Sequence, residues 1–244
     1  MNKALNIENI KASCSYCTLN ELCFPRGMEM ADMEKLNAVI EREKPLHKND
    51  FLYREGDECK AIYAVRSGGI KTTVQNQNGE SQIVGFHLPG ELIGFDGFAT
   101  DIHACSAEIL ETTSVCELPL TNLEALCEAI PGLQKQMRRI MGLEVNSDHD
   151  LLLLLGKMNA DEKLATFLIN LSNRMKQRNW KETDFNLNMS RQDIANYLGM
   201  AVETVSRLFA QFQEKGIISA DKRNIMITDM AALKRIIGDC QGNV

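Results

Sequence analysis

The segment MSRQDIANYLGMAVETVSRLFAQFQEKGII, residues 189–218, constrains the fold more than any other part of the chain. Ser190 is a good helix N-cap with Asp193 three positions on, and Ile194, Ala195 and Leu198 recur on one helical face. Gly199 ends that helix. A second begins near Val202, with Val205, Leu208, Phe209 and Phe212 inward and Glu203, Ser206 and Arg207 outward, until Gly216 stops it. Two helices joined by so tight a glycine turn make a helix-turn-helix, whose second helix lies in the major groove of DNA. Arg207 can donate twice to guanine, Glu203 can accept from cytosine, and Ser206 adapts to either. Arg191 and Gln192, at the start of the first helix, offer donors to phosphate. Short apolar runs at residues 217–219 and 225–228 flank Asp221-Lys222-Arg223-Asn224, which predicts a wing with a basic tip. Taken alone, the same outward face would suit the solvated side of an ordinary helical hairpin.

Charge distribution is compatible with a DNA partner. The net charge is −6, yet residues 157–244 hold 13 Lys and Arg against 10 Asp and Glu, while the remainder holds 14 against 23. The C-terminal third is therefore mildly basic, which permits nucleic-acid binding without demonstrating it. With 44% hydrophobic and 25% charged residues the chain has the make-up of a soluble globular protein, so disorder is excluded as its main theme. Its longest uninterrupted aliphatic run, residues 151–155, is far short of a bilayer span. The opening residues MNKALNIENIKASC lack the apolar core and cleavage site of a secretory signal, which predicts a reducing, cytoplasmic setting. The eight cysteines are accordingly expected to be free of disulfides.

Three of those cysteines stand close together as Cys14-x2-Cys17-x5-Cys23, in a segment with little core of its own. A metal group explains such a cluster best. Zinc and iron-sulfur clusters both accept four thiolates, but structural zinc usually takes two short Cys-x-x-Cys knuckles, which this chain lacks, so the spacing favours iron-sulfur. A fourth ligand could come from Cys59, Cys105, Cys116, Cys127 or Cys240, most of which should be packing residues, and spacing does not choose among them.

Between residues 45 and 119, apolar runs of four to eight residues alternate with turns at Glu55-Gly56-Asp57, Ser67-Gly68-Gly69, Asn78-Gly79 and Leu88-Pro89-Gly90, the pattern of an antiparallel barrel or double-sheet roll. A short helix is expected over residues 30–43, one long helix over residues 131–155, and another over residues 160–176. After a polar stretch to Asn188 come the helix-turn-helix and a hairpin. The expected fold class is thus α+β. Its parts are a metal-ligand segment (1–28), a β-roll (29–130), a long dimerisation helix (131–156) and a winged helix-turn-helix (157–244). On the long helix a heptad seam runs through Met137, Met141, Glu144, Asp148, Leu151 and Leu155, flanked by Ile140, Val145 and Leu152. In a parallel homodimer Glu144 and Asp148 would each meet their own copy.

This order of parts, with CSYCTLNELC, GFHLPGELIGFD, TSVCELP, LLLLLGKMNADEKLATFLINLS and ETVSRLF, resembles the CRP/FNR superfamily of bacterial transcription regulators, and within it the oxygen-responsive FNR (fumarate and nitrate reduction) regulators. The resemblance covers nearly the whole chain and implies a cyclic-nucleotide-binding-like jelly roll. It further implies a [4Fe-4S] cluster on Cys14, Cys17, Cys23 and Cys116, with cluster-loaded homodimers that bind TTGAT/ATCAA palindromes through Glu203, Ser206 and Arg207. It implies that Ser67 and Gly79 touch RNA polymerase, and that Asp148 is the acidic residue FNR-like proteins carry on the dimer helix. One departure separates the chain from the cyclic-nucleotide branch. The stretch GELIGFDGFATDIHACSAEI has the Gly-Glu turn of the phosphate cassette but no arginine near Cys105-Ser106 to pair a cyclic phosphate, so no cyclic-nucleotide ligand is expected. His87 and His103 are expected to be surface or satisfied roll residues, not ligands. No dinucleotide loop, nucleophile elbow or paired carboxylates suggest an enzyme. An iron-sulfur electron carrier and a zinc-stabilised DNA binder are the alternatives to an oxygen-responsive regulator.

Overall fold

The computed structural model describes residues 14–238. Cys240 and residues 1–13 lie outside the described residues. The expected α+β architecture is present: helix α1 (Met30–Val39), strands β1 (Phe51–Tyr53), β2 (Ala61–Ser67), β3 (Ile70–Gln75), β4 (Ser81–His87), β5 (Leu92–Ile93), β6 (Ser106–Ile109) and β7 (Ser114–Pro119), then helices α2 (Leu123–Ala129), α3 (Pro131–Lys157) and α4 (Ala160–Gln177). There follow strand β8 (Asp184–Asn186), helices α5 (Arg191–Leu198) and α6 (Val202–Glu214), strands β9 (Ile218–Asp221) and β10 (Asn224–Ile227), and helix α7 (Met230–Ile237).

The roll is two antiparallel sheets, β1-β6-β3-β4 and β5-β2-β7. Strand β2 explains how they are held. Its run of Ala61, Ile62, Tyr63, Ala64 and Val65 is buried throughout. Alternation sends Ala61, Tyr63 and Val65 into the core between the sheets with Ile70, Ala107 and Ile109, while Ile62 and Ala64 face a second core with Phe24, Leu36, Leu118, Ile130 and Leu133. That second core joins the cysteine segment, α1, α2 and the first half of α3 to the roll. The turns the sequence marked carry glycines at positive φ, Gly79 at 81° and Gly90 at 93° among them, which side chains with a Cβ rarely adopt.

Several details differ from the sequence expectation. Helix α1 stops at Val39, because Ile40 turns extended and Glu41 forms a backbone bridge with Glu117 of β7. The polar stretch before Asn188 contains β8, which adds a third strand to the wing, and the chain continues past the hairpin into α7, N-capped by Asp229. Short polar β8 lacks the apolar alternation of a strand, and its pairing with β10 is made by backbone that composition does not reveal.

The winged helix-turn-helix and the roll share a core. Ile83, Phe86 and Leu88 of the β4 region cluster with Phe167, Leu168, Leu198 and Phe209. Over this seam lies a partly buried ion cluster. Glu91 accepts from Arg174 Nε at 2.9 Å and Arg178 Nη2 at 2.6 Å, while Arg178 Nε donates to the Pro89 carbonyl at 2.7 Å. Burial alone would raise the Glu91 carboxyl, but the two guanidiniums outweigh it and hold the pKa down at about 2. A second tie is made by α5: Lys71 Nζ lies 3.0 Å from Asp193 and 3.3 Å from Glu108, and the Asn196 side chain donates to Ser81 O at 2.8 Å and accepts from Ile83 N at 2.6 Å. Asn196 thereby satisfies the edge strand β4 as a neighbouring strand would.

Because the folded pKa of Glu91 is depressed, its stabilisation is complete above the ordinary carboxylate value of 4.5 and is lost as pH falls toward about 2. Glu91→Gln is expected to flatten the loss of stability between pH 5 and 2, and Arg178→Met to destabilise the protein by roughly 3 kcal/mol at pH 7 by leaving a buried charge short of a partner. Chemical denaturation of both variants across that pH range checks this.

Candidate metal centre and nucleic-acid interface

The first site is built by the cysteine loop against the roll. Cys14 opens a single 3-10 turn, its N–H donating to Asn37 Oδ1 of α1 at 3.3 Å, and the Cys17 and Cys23 amides bond back to Cys14 O and Leu19 O. Phe24 is fully buried in the second core and anchors the loop. Cys116, on β7, shares the strand face of Leu118, so it points toward the loop while Val115 points into the roll. The outcome is that Cys14, Cys17, Cys23 and Cys116 line one cavity of about 230 Å3 together with Thr18, Arg42 and Arg66.

Burial raises the thiol pKa of Cys14, Cys23 and Cys116, and the other thiols of the set raise each further. Opposing this at Cys14 and Cys116, the next largest influence is the charge of Arg42, which lowers both. Thiols held neutral in this way must release protons when they bind metal. Among the described residues, no three His, Cys, Asp or Glu side chains converge on a point where one metal ion would be held. Four thiolates beside cationic side chains are a donor set that an iron-sulfur cluster accepts. The donor set and its cationic neighbours therefore fit an iron-sulfur cluster.

Cys59, Cys105 and Cys127 lie elsewhere: Cys59 Sγ donates to Gly94 O, Cys105 sits beside Tyr53 and Asp96, and Cys127 packs on Met137. His103 is buried, stacked on Tyr53 with ring centroids 3.6 Å apart and 3.3 Å from Asp96; His87 meets Thr72 at 3.0 Å, and burial pushes its pKa down to about 4. Both are satisfied roll residues.

The second site is the helix-turn-helix. Ser190 and Asp193 form a reciprocal capping box, and Gly199 takes the left-handed conformation that ends α5. Val205, Leu208, Phe209 and Phe212 bury one side of α6, which leaves Glu203, Ser206 and Arg207 exposed on the other. Gln192 is exposed at the start of α5, but the Arg191 guanidinium lies flat on the Phe209 ring at 3.5 Å and is only half-exposed. The wing turns at Lys222, with Asp221, Lys222 and Arg223 exposed.

Helix α3 links the two sites. Buried Gln136 donates from Nε2 to Cys23 O at 3.1 Å, tying the cysteine loop to the helix by a bond the sequence reading missed. The expected seam is redistributed. Met137 and Leu151 are buried in their own chain, the first in the core of the cysteine loop and the second in that of the DNA-binding unit, and Leu155 packs against that same core. These three are spent on intrachain packing. Glu144, expected to face its copy, is half-buried toward Glu91 and Arg174, and burial with the Glu91 and Asp148 charges pushes its pKa up to about 7. What stays exposed is a stripe of Met141, Val145, Asp148 and Leu152, spaced four, three and four. Ser67 ends β2 and is exposed, and Gly79 sits in the β3–β4 turn with its N–H on Asn76 O.

Comparisons with known proteins agree with this arrangement. Residues 43–129 match a cyclic nucleotide-binding domain and residues 162–236 a Crp-like helix-turn-helix domain. The "Transcriptional activator protein Anr" of Pseudomonas protegens is 46% identical over 228 residues, 93% of each chain, and the "Fumarate and nitrate reduction regulatory protein" of Escherichia coli is 43% identical over 225 residues, 92% of this chain and 90% of the relative. Among solved structures, FixK2 from Bradyrhizobium japonicum superposes with a TM-score of 0.76 at 28% identity, covering 83% of this chain and all of that one. These relatives are regulators of transcription, not enzymes. Identity of this level over more than nine-tenths of the chain, on a cyclic-nucleotide-type roll followed by a Crp-like DNA-binding domain, makes the chain a member of the FNR-type transcription regulators of the CRP/FNR family.

Proposed function

We propose that the protein is a cytoplasmic oxygen-responsive regulator: a [4Fe-4S] cluster held by Cys14, Cys17, Cys23 and Cys116 promotes homodimers that bind TTGAT/ATCAA-type palindromes, and oxygen, by destroying the cluster, switches binding off. The observation that carries this reading is that those four thiols line one cavity, with the Cys23 carbonyl held by Gln136 of α3. When bound, the cluster supplies the oxygen-labile chemistry, and the chain's own residues do the rest. Cys23 fixes the loop whose carbonyl Gln136 holds, so ordering of the loop and placement of α3 favour one another. The exposed stripe of α3 then offers Met141, Val145 and Leu152 to a partner copy, with Asp148 as the charge that opposes pairing. Ser67 and Gly79, both at turns, would meet RNA polymerase. No cyclic nucleotide is taken: Glu91 of the Gly-Glu turn is already engaged by Arg174 and Arg178, and the Asp96 carboxylate accepts the Ala104 and Cys105 amides.

Protein purified without oxygen should carry iron and labile sulfide and lose palindrome binding in air. Cys→Ala at any of the four positions should remove the cluster, while the change at Cys59, Cys105 or Cys127 should not. Iron without DNA binding would identify an electron carrier, and zinc with air-stable binding a plain DNA binder.

Arg207→Ala is expected to flatten preference at one base pair, since a bidentate arginine is worth roughly 1 to 3 kcal/mol of discrimination. Competition binding against palindromes altered at each position measures it, and equal loss on cognate and random DNA would contradict direct readout.

Asp148→Ala should dimerise without a cluster. Two facing carboxylates about 4 Å apart repel by at most roughly 4 kcal/mol at an effective dielectric of 20, comparable to the input a two-state switch needs. Sedimentation of cluster-free parent and variant at equal concentration decides it, a monomeric variant removing Asp148 from the switch.

A further inference from the structure

We infer that Arg42 is a positioning residue for the cysteine site, the cation that holds the thiolates of Cys14 and Cys116 and donates a hydrogen bond to the sulfur-rich group they bind. The inference rests on the iron-sulfur reading above and assigns it a residue outside the cysteine set.

Three independent observations converge on this side chain. The first is placement: the bridge between Glu41 and Glu117, with N–H to O distances of 2.9 Å in both directions, fixes the backbone of Arg42 beside the strand that carries Cys116. The guanidinium is then aimed by Asn37, whose Oδ1 accepts from Nη2 at 2.7 Å, and that same nitrogen lies 3.7 Å from Cys14 Sγ. Asn37 also accepts the Cys14 amide, so one side chain of α1 sets both the first cysteine and the cation next to it.

The second is charge. Among the described residues, those lining the cavity include two cations, Arg42 and Arg66, and no carboxylate. An iron-sulfur core on four thiolates is a net anion, so this lining has the sign such a group demands. Arg66 is exposed, where water and salt screen it, whereas Arg42 is half-buried and acts through a less polar medium.

The third is an unmet donor. Arg42 Nε is buried and has no hydrogen-bond partner among the described residues. A donor left unpaired on a charged group is costly, and native proteins rarely leave one without a purpose. Thiolate or sulfide in the cavity would be its acceptor, and hydrogen bonds to cluster sulfurs are among the factors that set cluster potential.

The test uses the full chain, purified without oxygen, as wild type and as Arg42→Gln, Arg42→Lys and Arg66→Gln. Two properties are read: the rate of iron loss to a ferrous chelator under strictly anaerobic conditions, and the midpoint potential of the cluster. Arg42→Gln is expected to lose iron roughly tenfold faster, the change that follows from removing one charge-assisted hydrogen bond, and to shift the potential negative because a neighbouring cation is gone. Arg42→Lys should restore most of the potential, since the charge returns, but not the slow iron loss, since the planar fork of donors does not. Arg66→Gln should change the rate by less than about threefold, as an exposed charge does. Thermal unfolding of the cluster-free proteins reports any fold defect; should Arg42→Gln fail to fold, Arg42→Lys carries the test, and iron loss as slow as wild type in that variant overturns the inference. So does an Arg66→Gln effect as large as that of Arg42→Gln, or an Arg42→Gln protein unchanged in both properties. Wild-type protein without iron would instead overturn the iron-sulfur reading, and the inference with it.

Discussion

Glu91 occupies the place where three parts of the molecule meet. Its carboxylate receives the guanidiniums of Arg174 on α4 and of Arg178 at the C-cap, with the Leu88 amide from its own turn, and neither arginine forms an ion pair with another carboxylate among the described residues. Removing the carboxylate would strand two largely buried cations, which is why the roll and the DNA-binding unit hold one arrangement here instead of pivoting on apolar contacts alone. The ties through Lys71 and Asn196 reach the first helix of the helix-turn-helix from the same sheet. The recognition face of α6 stays free in this arrangement, so docking restrains the orientation of the reader without covering it.

The same turn receives the cysteine loop. Gly90, directly before Glu91, has φ of 93°, and a Cβ there would lie 3.0 Å from the Leu22 Cβ and 3.7 Å from the Leu19 Cβ. Only a glycine lets loop and turn approach so closely. The loop therefore leans on the turn that clamps the DNA-binding unit and, through Gln136, on the helix that carries the exposed apolar stripe. The cysteine loop thus has two short packed contacts, one with α3 through Gln136 and one with the turn that the arginines at the end of α4 hold.

Along α3 the division of labour follows from packing. The first turns bury Leu133, Met137 and Ile140 against the cysteine loop and roll, and the last bury Leu151 and Leu154 against the DNA-binding unit. Between them Met141, Val145, Asp148 and Leu152 lie exposed along one face. That four-three-four spacing is the pattern of a left-handed seam, about three turns long with one exposed carboxylate within it.

Local chemistry was legible in the sequence. Ser190, Asp193 and Gly199 bound α5 because capping and left-handed turns depend on the residue itself, and the apolar faces of α6 and the roll strands follow from periods of 3.6 and 2. The clustered Cys14, Cys17 and Cys23 raised the expectation of a metal group, whereas spacing left five candidates for the fourth ligand, and the choice of Cys116 came from family resemblance. Only the tertiary structure puts Cys116 across the cavity, since that depends on β7 pairing with β2 in one register. The seam shows the limit most clearly: heptad counting placed Met137, Leu151 and Leu155 at the partner, but a helix buried at both ends by its own chain leaves only its middle free. Periodicity reports that a face is apolar. Which surface covers it is decided by long-range packing, and so are the contacts of Arg42, Gln136 and Glu91, whose partners lie far away in the chain or across a bridge that no local pattern encodes.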